Sequence, residues 1–130
     1  MSHPSSPVVR SIASVKAEPV TRSRGAAIQI LIGPADGAPT FVTRRFTLAP
    51  GGRIPRHLHD TIEHEQVMLE GVMVLGLGER EVEVRAGDAI FIPAGTAHWY
   101  ENRSAEPAVF LCMVPSTSDY STEWLEAPAG

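Results

Sequence analysis

Punctuation constrains this fold more than any other feature of the sequence. There are 11 glycines and 11 prolines in 130 residues, and they suit many short strands joined by turns better than long helices. Residues 81–85 (EVEVR) alternate charged and apolar side chains with the period of a half-buried strand. Residues 40–48 (TFVTRRFTL) are rich in β-branched and aromatic side chains and predict another strand, ended by Pro50-Gly51-Gly52. The near-continuous apolar run 26–32 (AAIQILI), bounded by Gly33-Pro34, predicts a strand buried on both faces. Further strands are expected at 66–69, 72–77, 89–92, 97–101 and 108–114, with a bend or bulge at Gly71 and a hairpin tip at 78–80. Residues 34–39 (PADGAP) read as a turn, and 8–15 alternate weakly enough to be a first strand or an arm. The one candidate helix is short, at 120–126. Nine or ten short strands without a heptad or an internal repeat argue for an all-β chain, an antiparallel jelly roll or barrel. A barrel this small encloses side chains or one small ligand.

Size and charge narrow the function. One domain is expected over residues 8–126, with a tail at 127–130. A chain of this length buries roughly 65–70% of its unfolded surface without staples. Residues 1–7 are polar and proline-rich and lack an apolar signal core, so they read as a disordered leader. A formal charge of −4 with 11 basic residues leaves no cationic stripe for nucleic acid. No apolar run approaches the roughly 18 residues a membrane span needs. Cys112 is the single cysteine, which excludes an internal disulfide and suits a reducing cytoplasm.

Chemistry gathers in two segments. Of the 5 histidines, His57, His59 and His64 fall in one stretch and His98 a strand or two later, while His3 sits in the leader and carries no assignment. His57 and His59 are two residues apart, so on a strand both point to one face. His64 follows after a turn long enough to bring a third imidazole from the adjacent strand. Pro93 and Gly95 set a tight turn that can deliver His98. Neutral imidazole is the commonest protein metal ligand, so a mononuclear divalent-metal site in a small barrel is expected.

The first segment runs Gly51-x5-His57-x-His59-x4-His64-x6-Gly71, and the second Gly87-x5-Pro93-x-Gly95-x2-His98-x3-Asn102. Together they resemble the paired motifs of the cupin superfamily, G-x5-H-x-H-x3,4-E-x6-G and G-x5-P-x-G-x2-H-x3-N. The second matches at every fixed position. The first departs once: His64 stands where the family usually has glutamate, and Glu63 gives a wrong count to Gly71. The intervening residues 72–86 resemble the short spacer of compact single-domain cupins, and the variant is similar to the four-histidine subgroup. The resemblance covers about residues 28–114. It implies a double-stranded β-helix, one divalent transition metal (Mn, Fe, Ni, Zn or Cu) on His57, His59, His64 and His98, and a homodimer. It also implies chemistry on small organic anions: dioxygenation or oxidative cleavage, isomerisation or decarboxylation.

Four neutral imidazoles leave the charge of a divalent ion uncompensated, which favours an anionic partner such as a carboxylate or enolate. Octahedral geometry would leave two vertices open, as catalytic sites do. Alternation places Tyr100 on the face of His98 and Gln66 on the face of His64, so both are candidates beside the metal. Cys112 shares a face with Phe110 and is either an oxidisable neighbour of the site or a core filler. Phe46, Gln29 and Arg44 are further candidates for the cavity, with an exposed or packing role expected of the arginine. Glu63, Glu65 and Glu70 read as solvated carboxylates or a support for a ligand imidazole. Trp124 is expected to anchor the tail against the barrel or a partner subunit. Two classes of function stand side by side: a metalloenzyme acting on a small anion, and a non-catalytic module that binds or senses one.

Overall fold

The computed structural model describes residues 6–130; most of the expected leader, residues 1–5, lies outside the described residues. Ten strands pair throughout antiparallel: β1 (Glu18–Pro19), β2 (Arg24–Ile32), β3 (Phe41–Leu58), β4 (His64–Glu70), β5 (Val72–Leu77), β6 (Arg80–Arg85), β7 (Ala89–Ile92), β8 (His98–Glu101), β9 (Ala108–Pro115) and β10 (Glu123–Trp124). The order β6-β5-β8-β3-β9-β4-β7, with β2 and β10 also on β3, is a sheet curled into a jelly-roll half-barrel. No helix among the described residues is long and apolar enough to cross a membrane.

The 18-residue β3 organises the curl. Its first half pairs with β9 from Phe41↔Pro115 to Leu48↔Ala108, and its second half pairs with β8 at Arg53↔Glu101, Ile54↔Tyr100 and His57↔His98. Pro50-Gly51-Gly52 was expected to end a strand; instead it bends one. Gly51 adopts φ 80, a left-handed conformation that glycine accepts without a side-chain clash. The bend is fastened by Gly51 N–H to Asn102 C=O (2.8 Å) and Asn102 N–H to Gly52 C=O (2.9 Å). Asn102, fully buried, also donates its amide to the Leu48 and Glu106 carbonyls (3.0 and 2.8 Å). The asparagine of the second motif is therefore a clamp between the two halves of β3 and the loop after β8.

Inward-facing residues fill the interior: Leu48, Met68, Met73, Leu75, Ile92 and Phe110 are almost wholly buried. Phe46 and Phe110 stack at 5.0 Å between centroids, and Tyr100 stacks on Phe110 at 5.2 Å. Gly71 turns β4 into β5 at φ 78, where a Cβ would collide with the Pro107 carbonyl oxygen.

Two local expectations are corrected and one open alternative is decided. The run 26–32 is not buried on both faces, since Ile30 is 55% exposed; beyond β3, β2 has only the two-residue β1 for a neighbour. Of the two alternatives for residues 8–15, the arm is the one observed, with a 3-10 turn at Ile12–Ser14. The Gln29 amide donates to the Ile12 and Val15 carbonyls (3.1 and 2.9 Å), a side-chain partner in place of a ladder. Residues 120–126 form no helix. A segment that short is marginal as a helix, and the free edge of β3 captures it as β10, with Trp124↔His57 and Leu125 N–H to Arg56 C=O (2.9 Å).

Candidate metal centre

Each imidazole arrives at a place that strand geometry dictates. His57 lies near the end of β3 and His59 just after it, on one face; His64 opens β4 and His98 opens β8. Nitrogens of His57, His59 and His98 all lie within 4.8 Å of one another. The His64 ring sits beside them, 5.1 Å from His98 and 5.2 Å from His59 between centroids, but outside that trio of nitrogens. Glu63 is exposed on the turn and does not take its place. Glu65 and Glu70 are exposed as well.

Hydrogen bonds set the tautomers. His57 Nδ1 is 2.7 Å from the Pro55 carbonyl and His98 Nδ1 is 2.9 Å from the Thr96 carbonyl. A carbonyl only accepts, so both Nδ1 atoms carry the proton and both Nε2 atoms keep a lone pair. His59 Nδ1 faces the Ser121 carbonyl at 3.3 Å and Thr122 Oγ1 at 3.1 Å. His98 Nε2 and His64 Nδ1 are buried with no hydrogen-bond partner. Orphaned imidazole nitrogens are costly in a dry interior. A divalent cation satisfies such lone pairs, so the donor set fits a metal.

Electrostatics keep these rings neutral. Burial lowers His57 to about 4, against the opposing effect of its hydrogen bond to the Pro55 carbonyl. Burial and then the His57 charge lower His98 to about 3, and burial and then His98 lower His64 to about 2. His59 is also lowered by burial. Neutral imidazole is the ligating form.

The imidazoles line a cavity of about 300 Å³, at the small end for a ligand site. Tyr100, Gln66 and Cys112 line it too, as alternation on their strands predicts. The Gln66 amide donates to Tyr100 Oη (2.6 Å) and to Cys112 Sγ (3.4 Å), while Gln66 Oε1 is buried without a partner. Burial pushes the Tyr100 hydroxyl well above its ordinary range, so it remains protonated at neutral pH. Phe46 lines the cavity as expected, but Gln29 faces the arm instead. Arg44, expected to be exposed or packed, also lines the cavity and donates to Cys112 Sγ (3.0 Å). Its alternation with Phe46 on β3 carried that signal. Tyr120, Thr122 and Trp124 complete the wall from the C-terminal segment, and Trp124 lies 5.0 Å from the His57 ring. Only Trp124 among these three was singled out from the sequence, because a two-residue strand has no periodicity to read.

Comparisons with known proteins agree with the fold. The polyketide cyclase RemF from Streptomyces resistomycificus superposes with a TM-score of 0.87 at 32% identity, covering 95% of this chain and 89% of that one. The tetracenomycin polyketide synthase protein TcmJ of Streptomyces glaucescens is 28% identical over 124 residues, 91% of this chain and 83% of the relative. A helix-turn-helix-type transcriptional regulator of Bacillus subtilis, YdeC, is 32% identical over 62 residues, and this chain spans only 21% of its length. The family model described as the Cupin domain matches residues 44–114, a stretch that includes all four histidines of the cavity. With more than half of its length inside that match, the chain belongs to the cupin family.

Proposed function

We propose that this cupin is a metalloenzyme that binds one divalent cation at His57, His59, His64 and His98 and acts on an enolisable β-dicarbonyl or polyketide-type substrate. The observation that carries the reading is the convergence of four imidazoles on one small cavity, three of them buried and neutral and two of those with an orphaned nitrogen. Similarity to RemF and TcmJ over most of the chain supports the substrate class.

A divalent cation held there supplies Lewis acidity for negative charge developing on a substrate oxygen. The chain's own groups do the rest. Tyr100 accepts a hydrogen bond from Gln66 and keeps its phenolic proton to donate to the same developing charge. Gln66 holds that phenol in place, and Phe46 and Trp124 offer flat apolar walls to an unsaturated guest. No carboxylate lines the cavity among the described residues, so the site suits carbon acids that are already acidic. Dioxygenase-type, isomerase or decarboxylase chemistry would use the same pole. Oxygen uptake with a redox-active metal distinguishes the first of these.

Elemental analysis should find about one divalent ion per chain, falling well below that in His59→Ala. In metal-loaded protein, benzoylacetone should develop the near-ultraviolet band of its enolate. Full metal in His59→Ala, or no enolate band in the wild type, defeats the reading. The lack of a cavity carboxylate, with the match to part of a transcriptional regulator, favours one second reading: ligand binding or sensing without turnover.

A homodimer belongs to the same proposal. Val67, Leu69 and Phe91 are exposed on the face of β4 and β7 turned away from the cavity. Light scattering should return twice the 14.0 kDa of one chain, and a monomer mass refutes the pairing.

A further inference from the structure

Arg44 has a guanidinium in the cavity with no opposite charge beside it. Nη2 donates to the Cys112 sulfur at 3.0 Å, a weak acceptor, and Nε is buried with no partner. The guanidinium carbon lies over the Phe46 ring, 5.2 Å from its centroid. Among the described residues Arg44 makes no ion pair, although Arg10, Arg53, Arg56, Arg85 and Arg103 all do. The cavity contains no aspartate or glutamate to neutralise it. Its positive charge also acts on all four imidazoles and on Tyr100, which places it close to the whole site.

A half-buried guanidinium whose Nε has no acceptor is better satisfied when an anionic partner arrives. We propose that Arg44 is a specificity-determining residue that binds a free carboxylate of the substrate, while the enolisable carbonyl of the same molecule faces the histidines. The inference deepens the enzyme reading above and rests on it for the second pole. A planar guanidinium matches a carboxylate through two parallel hydrogen bonds, a geometry an ester, thioester or amide cannot reproduce. Phe46 beside the fork favours a flat, unsaturated acid. The cavity volume of about 300 Å³ suits a small free acid. The preferred substrate is therefore a small unsaturated β-keto acid, favoured over its neutral ester or diketone counterpart.

The test compares freshly prepared benzoylacetate with neutral benzoylacetone, which carries a methyl ketone in place of the carboxylate. Each is titrated into metal-loaded wild type, R44Q and R44K, and into chelated wild type, with binding read by calorimetry. Wild type should bind the acid at least tenfold more tightly than the diketone. In R44Q that ratio should fall to within about twofold of unity, with R44K between the two because it keeps the charge and loses the fork. An unchanged ratio in R44Q, or no preference for the acid in wild type, overturns the assignment. Should R44Q fail to fold, R44K decides: a ratio lowered at least threefold supports the anchor, and an unchanged one refutes it. An Arg44-dependent preference that persists while benzoylacetone shows no metal-dependent enolate band would sink the enzyme reading and leave the anchor standing.

Discussion

Acidifying this protein from pH 7.0 to 5.5 should cost it folding stability before it costs metal affinity. Four imidazoles of ordinary pKa, near 6.5, would each lose about 8-fold in ligating competence over that interval, or about 5,000-fold together. Here burial holds His57 at about 4, His98 at about 3 and His64 at about 2, so these three remain neutral at pH 5.5. Only His59, lowered to a lesser degree and half-exposed, can contribute, and its share is at most about 8-fold. The protons are instead taken up by the unfolded chain. Because the folded pKa values lie below the unfolded ones, the unfolded state binds more protons between about pH 6.5 and 4, and stability falls as pH falls through that window. The loss from pH 7.0 to 5.5 is on the order of 1 kcal/mol per imidazole, or several kcal/mol for the three. That is a large part of the ~5–15 kcal/mol that keeps a typical domain folded. Zinc competition against a chelator of known proton affinity, with urea titrations of the chelated protein at both pH values, measures the two quantities separately. A thousandfold loss of affinity with an unmoved urea midpoint would refute the burial argument, because it would mean that the histidines titrate as in water.

Two stability predictions follow from the frame around the site. Asn102→Ala removes the amide donors to the Leu48 carbonyl in β3 and to the Glu106 carbonyl in the loop after β8, so urea unfolding should register a loss of about 2–4 kcal/mol. Wild-type stability in that variant would deny the clamp. Gly71→Ala combines a left-handed φ with a collision against the Pro107 carbonyl oxygen, and should lose about 2 kcal/mol or more. A change under half a kilocalorie would show that the β4–β5 turn yields easily.

Much of the site was legible because strands enforce simple rules. A period of two placed His57 with His59, Gln66 with His64 and Tyr100 with His98, and all of them line one cavity. The same rule applied to Arg44 through Phe46, but an arginine is ordinarily at a surface, and that prior outweighed the register. Gln29 misled in the other direction: its amide serves the carbonyls of the N-terminal arm, a contact between residues 14 and 17 positions apart that no local pattern encodes.

By itself the sequence determined the class of fold, the strand content and which residue types could hold a cation, since turn chemistry and side-chain alternation are local properties. Tertiary structure decided the rest. Long-range pairing carried β3 through Pro50-Gly51-Gly52, turned an expected helix into the strand β10 against His57, and enclosed Arg44 with no counter-charge. The physical reason is that burial and partner choice are not properties of a residue or its neighbours in sequence. They exist only once distant strands have met.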